Sequence, residues 1–159
     1  MSTFSSTSPN TKRLHDRLRT AVESATAAPS SHNTQPWKFR ILQDRIELYA
    51  DRSRRLPIVD PMDRALTISC GAALDHLCLA MHCDGLSTMV RVLPEPDNPD
   101  LLARVIVSGP HLPSDEERMI QEAIPKRRTN RCRLKRSRLI RRSRRICFMM
   151  PRSTTVGWT

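Results

Sequence analysis

The sequence predicts an α+β fold, a long buried central helix set against a small antiparallel sheet. Three observations carry this reading. Between Ala65 and Met81 the chain is apolar nearly all round, which marks a helix enclosed by other protein. Trp37, Phe39 and Ile41, then Ile46, Leu48 and Ala50, alternate with polar residues on either side of Leu42-Gln43-Asp44. That is the period of a hairpin with one wet face. Two further short strands, residues 89–93 and 101–107, flank the turn Pro94-Glu95-Pro96-Asp97-Asn98-Pro99.

The remaining elements follow in order. Residues 1–11, rich in Ser and Thr, read as a disordered leader. Leu14, Leu18, Ala21, Val22 and Ala25 recur at helical spacing and predict a helix over 12–26, closed before Pro29. Residues 51–57 read as a basic, exposed connector. Asp60-Pro61 predicts the start of the central helix, Asp as cap and Pro in the first turn, with Asp84-Gly85 as its end. Gly71 would allow another backbone to pack closely against it. Ser114-x-x-Glu117 is a capping box, followed by an apolar stripe of Met119, Ile120, Ala123 and Ile124 that Pro125 ends. The reading gives one domain over 12–131 and a basic tail over 132–159.

Composition narrows the class. The 159 residues are enough for one domain with a real core. Net charge is +11, but residues 132–159 hold nine Lys and Arg and no acid, leaving 18 basic against 16 acidic residues before them. The body is therefore nearly neutral and the basicity belongs to the tail. Five cysteines at irregular spacing give no disulfide framework. Neither a signal peptide nor a run of 18 apolar residues is present, so the expectation is a cytoplasmic protein with no membrane segment.

The most informative stretch is Ala28-Pro29-Ser30-Ser31-His32-Asn33-Thr34-Gln35-Pro36-Trp37-Lys38-Phe39. Its prolines and small polar residues stop the preceding helix. Its aromatic end needs burial. Neutral hydrogen-bonding groups anchored by buried aromatics suit a flat, polar-edged ligand, and the pyrimidine edge of a flavin is one. A well-capped surface turn explains the same residues.

The twelve residues resemble the flavin loop of the nitroreductase superfamily, roughly Ala-Pro-Ser-Ser-x-Asn-x-Gln-Pro-Trp-x-Phe. Asp60-Pro61-x-x-Arg64, with Ile68-Ser69-Cys70-Gly71-Ala72-Ala73-Leu74, is similar to the Acg-type branch of NAD(P)H nitroreductases, which carry two such repeats in a longer chain. Arg127-Arg128-Thr129-Asn130-Arg131 resembles the motif that opens a repeat and holds the flavin phosphate. The resemblance runs from about Leu14 to Arg131. It implies a nitroreductase-like half, truncated after the start of a second repeat. It further implies FMN held by Ser30, Ser31, Asn33 and Gln35 and by Arg127, Arg128, Thr129, Asn130 and Arg131, with NAD(P)H as reductant and a nitroaromatic or quinone as small-molecule acceptor. Flavin sites of this family lie between repeats or subunits, so a homodimer through the 61–84 helix is expected. Binding and turnover are separate expectations, because a flavin-sequestering protein or a non-functional fragment would share these residues.

Other constellations are weaker. Arg127, Thr129 and Arg131 suit phosphate on chemistry alone, since guanidinium forks bind it bidentately, but a solvated basic run reads the same. His76, Cys78, His82 and Cys83 cannot all converge on one tetrahedral ion from a straight helix, and no metal is expected. No Gly-x-Ser-x-Gly, P-loop or Gly-x-Gly-x-x-Gly motif marks a catalytic group, which fits chemistry carried by a cofactor. The tail lacks interleaved aromatics, so only non-specific attraction to nucleic acid is expected of it.

Overall fold

A computed structural model describes residues 9–129 of the chain, with side-chain environments from residue 12. The chain divides into two compact units, 1–127 and 128–159. The expectations for the leader before Pro9, for Asn130 and Arg131, and for the tail fall outside the described residues.

Helix α1, Pro9–Ala25, starts three residues before the predicted boundary and places Leu18, Ala21 and Ala25 in the core. Strands β1, Trp37–Ile41, and β2, Arg45–Ala50, form the expected hairpin, with Trp37 opposite Ala50 and Phe39 opposite Leu48. Helix α2, Arg64–Cys83, is followed by β3, Leu86–Val92, and β4, Leu101–Pro110, both longer than predicted. Helix α3, Asp115–Ala123, carries the predicted capping box, and a 3-10 turn over Ile124–Lys126 follows it.

The four strands run antiparallel in the order β1-β2-β4-β3, so the connection through α2 and β3 returns β4 to the side of β2. Helices α1 and α2 cover one face. One core cluster joins Leu18, Ala21, Ile46, Leu77, Met81 and Val105, and a second joins Ala28, Trp37, Leu48, Leu66, Cys70 and Ala103. The two clusters continue into one another through Phe39 and Leu74, which pack against both. The observed class is α+β, as the sequence predicts.

Several local expectations change. The outer face of β2 is not simply wet. Glu47 is buried there, accepting from the Tyr49 hydroxyl at 2.9 Å and from Nε of Arg104 at 3.0 Å. Burial pushes its pKa up, but the Tyr49 hydroxyl and the Arg104 guanidinium outweigh that, and the carboxyl ends below its ordinary range. Period-two patterning marks Glu47 as polar but cannot show that its neighbours close over it.

The central helix begins at Arg64 because Asp63 takes a left-handed φ of 52° and breaks the first turn expected after Pro61. Asp60 still caps it from outside, its carboxylate accepting from the amides of Arg64 at 2.8 Å and Leu66 at 2.9 Å. Nor is α2 enclosed all round, since Ile68 is 73% exposed. A Cβ on Gly71 would meet nothing within 4 Å, so close backbone packing is not its role here. By length and composition α2 could cross a membrane, contrary to the expectation from apolar runs, yet one of its faces is committed to the core.

The connector after β2 is more ordered than its charge suggests. Asp51 is buried, and Arg52 bridges Asp63 at 2.6 Å and Asp100 at 2.8 Å. On α3 the predicted apolar stripe buries only its end: Ile124 is buried, whereas Met119 and Ile120 are exposed.

Candidate functional site

Ala28 to Phe39 forms a loop between α1 and β1, fastened at both ends. Ala28 and Trp37 sit in the core, and Pro36 is fully buried. The Pro36 carbonyl accepts from the amide of Asp51 at 2.9 Å and from the Cys70 thiol at 3.2 Å. Burial pushes that thiol up to about 11, so it acts as a donor and not as a thiolate.

Between these anchors the backbone is strained. His32, Asn33 and Gln35 have φ of 51°, 57° and 49°. Asn and His enter the left-handed region more readily than most residues, whereas Gln35 must be held there by surrounding bonds. Ser30 Oγ accepts from the amide of Gln35 at 3.0 Å, and the Thr34 hydroxyl donates to the Ser31 carbonyl at 2.9 Å. The Ser31 amide donates to Ser69 Oγ on α2 at 3.2 Å, and that hydroxyl in turn donates to the Ala65 carbonyl at 2.7 Å. From the far side, Arg54 Nη1 reaches the carbonyls of Thr34 at 3.3 Å and Gln35 at 3.4 Å. Arg54 is aimed by Asp51, whose carboxylate also accepts from Ser53 and pairs with Lys38 at 3.0 Å.

Four predicted residues, Ser30, Ser31, Asn33 and Gln35, therefore fall together on one braced loop. Ser30 is spent mainly on the bracing. The side chains of Ser31, Asn33 and Gln35 take no part in it. A groove of ≈ 260 Å³ runs along the Ser30–Ser31 end of the loop, lined by Pro29, Ser30, Ser31, Ala65, Ile68, Ser69 and Ala72; Asn33 and Gln35 do not line it. It has a hydroxyl edge, an apolar floor and no acid. A pocket that buries a drug-sized ligand holds roughly 300–1,000 Å³, so this groove covers one side of such a ligand. A larger cavity, ≈ 690 Å³, lies between α1 and the ends of β3 and β4, lined by Arg13, Arg17, Gln43 and Gly109 among others. It contains no predicted site residue, and Arg17 is committed to Asp84.

Ala65, Ser69, Ala72 and His76 recur at helical spacing, placing His76 about 10 Å along α2 from Ser69 on the same stripe. His76 is a residue that the motif reading did not assign to the loop's side of the molecule. Its Nδ1 is buried without a hydrogen-bond partner among the described residues. Burial pushes its pKa down, Asp75 pushes it up and Arg127 pushes it down again, with a net fall that favours the neutral ring. Arg127 therefore lies within electrostatic reach of the helix stripe that the groove follows. Arg128 and Thr129 are exposed and open the second unit, and Asn130 and Arg131 lie outside the described residues.

Among the histidines and cysteines of α2, His82 meets partners from outside the helix, namely His111 and Glu117. His111 and Glu117, a lone His and a capping Glu, form no Cys and His ligand group along the sequence, so only the fold brings them to His82.

No family model matches the chain. It is 37% identical over 116 residues to "Putative NAD(P)H nitroreductase Rv3131" of Mycobacterium tuberculosis, a match covering 73% of this chain and 33% of that protein. It is 35% identical over 123 residues to "Putative NAD(P)H nitroreductase acg" of the same organism, covering 77% and 37%. The chain is a relative of the Acg-type nitroreductases. It spans about one third of the length of the curated relatives it matches. Among solved structures, a nitroreductase family protein from Streptococcus pneumoniae aligns at 20% identity and a TM-score of 0.44, over 62% of this chain and 81% of the other. A "putative nitroreductase in complex with fmn" from Desulfovibrio desulfuricans aligns at 18% identity and a TM-score of 0.45, over 70% of this chain and 81% of the other.

Proposed function

We propose that the loop and groove of this nitroreductase relative bind FMN, with the polar edge of the ring against Ser31, Asn33 and Gln35 and the apolar stripe of α2 under its face. The observation that supports this most is the division of labour in the loop. Ser30, Thr34, Ser69 and Arg54 hold a strained backbone, and the Ser31 hydroxyl is left over in the groove, with the neutral side chains of Asn33 and Gln35 further along the same loop. The resemblance gives the phosphate to Arg127 and the four residues after it.

FMN, when bound, would accept hydride from NAD(P)H and pass electrons to a nitroaromatic or quinone. The chain's own part is to bind, orient and partly shield the ring. Because the groove covers one side only, a second wall is required, and a second copy meeting the exposed Ile68 side of α2 is the candidate. A second reading, flavin held without turnover, is favoured by the same openness, since an unshielded ring is poorly placed for controlled hydride transfer.

Titration of the protein with FMN, followed by quenching of flavin fluorescence, tests the binding. Asn33→Ala with Gln35→Ala, and separately Arg127→Ala, should each weaken it about tenfold or more; protein that ignores FMN would end this reading. Addition of NADPH to the complex without oxygen then separates the two versions. Bleaching of the flavin supports the oxidoreductase, and persistent yellow colour supports sequestration.

A further inference from the structure

Three segments meet at the C-terminal end of α2. His82 comes from the last turn of that helix, His111 follows β4, and Glu117 stands in the first turn of α3. His82 Nδ1 lies 3.1 Å from Oε1 of Glu117, and His111 Nε2 lies 3.1 Å from each carboxylate oxygen. The two rings overlap with centroids 4.4 Å apart and planes inclined by 31°. One potential ligand atom from each residue lies within 4.8 Å of the others. Around a tetrahedral ion with bonds of about 2.0–2.2 Å, ligand atoms stand roughly 3.3 Å apart, so small adjustments would admit one.

The surroundings fix these groups in a useful orientation. Glu117 Oε2 accepts from the amide of Ser114 at 2.8 Å and from its hydroxyl at 3.0 Å. The capping box thus sets the carboxylate's rotamer through one oxygen and leaves Oε1 directed at both imidazoles. His82 Nε2 lies 2.9 Å from the Thr88 hydroxyl. With its proton on Nε2, donated to Thr88, His82 presents the Nδ1 lone pair to the centre of the cluster, the arrangement a metal-bound histidine needs. The side chains of His82, His111 and Glu117 are 28%, 28% and 23% exposed, which leaves a fourth direction for water.

We propose that His82, His111 and Glu117 form a site for a divalent transition metal, with Zn2+ the best match to two imidazole nitrogens and one carboxylate. A helix cap alone explains Ser114 and Oε2 but gives no reason for two histidines to converge on the same carboxylate. Bound metal would join α2, α3 and the segment after β4. The site uses none of the residues proposed to bind flavin, and it stands or falls separately.

The test uses the full chain, stripped by chelator and titrated with Zn2+ by calorimetry, with Co2+ as a visible-absorption probe of coordination. One strong site per chain, a tetrahedral-type Co2+ spectrum and a thermal midpoint raised by Zn2+ are expected. His111→Gln and Glu117→Gln should weaken this site by more than the roughly 10–100-fold that loss of an outer partner costs, and Thr88→Val should fall within that range. Glu117→Gln keeps an oxygen for the cap, and circular dichroism of both variants separates lost metal from lost helix. Because Cys132 and Cys147 lie elsewhere in the sequence, the Cys132→Ser, Cys147→Ser protein is titrated in parallel. No Zn2+ binding, or binding undiminished in a protein carrying both His82→Gln and His111→Gln, would overturn the proposal.

Discussion

Ser69 shows how one hydroxyl links a helix to a loop. It accepts from the Ser31 amide while donating to the Ala65 carbonyl, so Ser69→Ala leaves a part-buried amide without its acceptor. The expected cost is about 1–2 kcal/mol in chemical denaturation, with a larger loss of FMN affinity, because the loop's strained residues lose their support. Asp51 acts from the other side. Its pKa is lowered by the Ser53 hydroxyl first and by Lys38, against the effect of burial. A carboxyl depressed in the folded state contributes stability above the ordinary aspartate value of 3.8, and that contribution is lost as pH falls through the folded value. Asp51→Asn should therefore be destabilised relative to the parent at pH 7, and the difference should shrink on acidification below about 4. An unchanged difference at pH 3 and pH 7 would show that Asp51 acts by shape and not by charge.

Helix α2 has two faces with different consequences. Leu77 is fully buried between α1 and the sheet, so Leu77→Ala should cost about 2–5 kcal/mol by loss of transfer energy and creation of a cavity. Ile68, on the open side, should behave otherwise. Ile68→Glu is expected to change stability by no more than about 0.5 kcal/mol and yet abolish FMN binding and any self-association. A variant that binds flavin as tightly as the parent would remove α2's open side from the site. Thermal unfolding and flavin titration on the same two proteins make the comparison direct.

At the scale of the molecule, charge and association are the relevant properties. The net charge of +11 is concentrated beyond residue 131, in a region that carries no motif of the flavin reading. Retardation of nucleic acid should appear at low salt and fade by about 0.2 M, with little preference for sequence, because counterion release drives it. Binding that survives such salt and selects one sequence would favour a nucleic-acid function over the flavin one. Light scattering on the FMN complex addresses the second wall. A mass of two chains is expected, and a monomer that holds FMN tightly would rule out the second copy.

Legibility in the sequence followed the range of the forces involved. The α1 stripe, the hairpin and the Ser114–Glu117 box are local patterns. Periodicity and capping chemistry specify them within a few residues, and the structure keeps them with shifts of only a few positions at the ends. That Ser30, Ser31, Asn33 and Gln35 share one loop was likewise legible, because the stretch is contiguous. Tertiary structure alone decided which of them brace the loop and which line the groove, since that depends on Ser69 and Arg54, far away in the chain. It alone buried Glu47, left Ile68 in the open, and set His82 beside His111 and Glu117. Each of these depends on how α2 docks on the sheet and on where β4 and α3 return. Hydropathy read along the chain reports how much surface a residue needs to hide, whereas the packed fold determines which neighbour hides it.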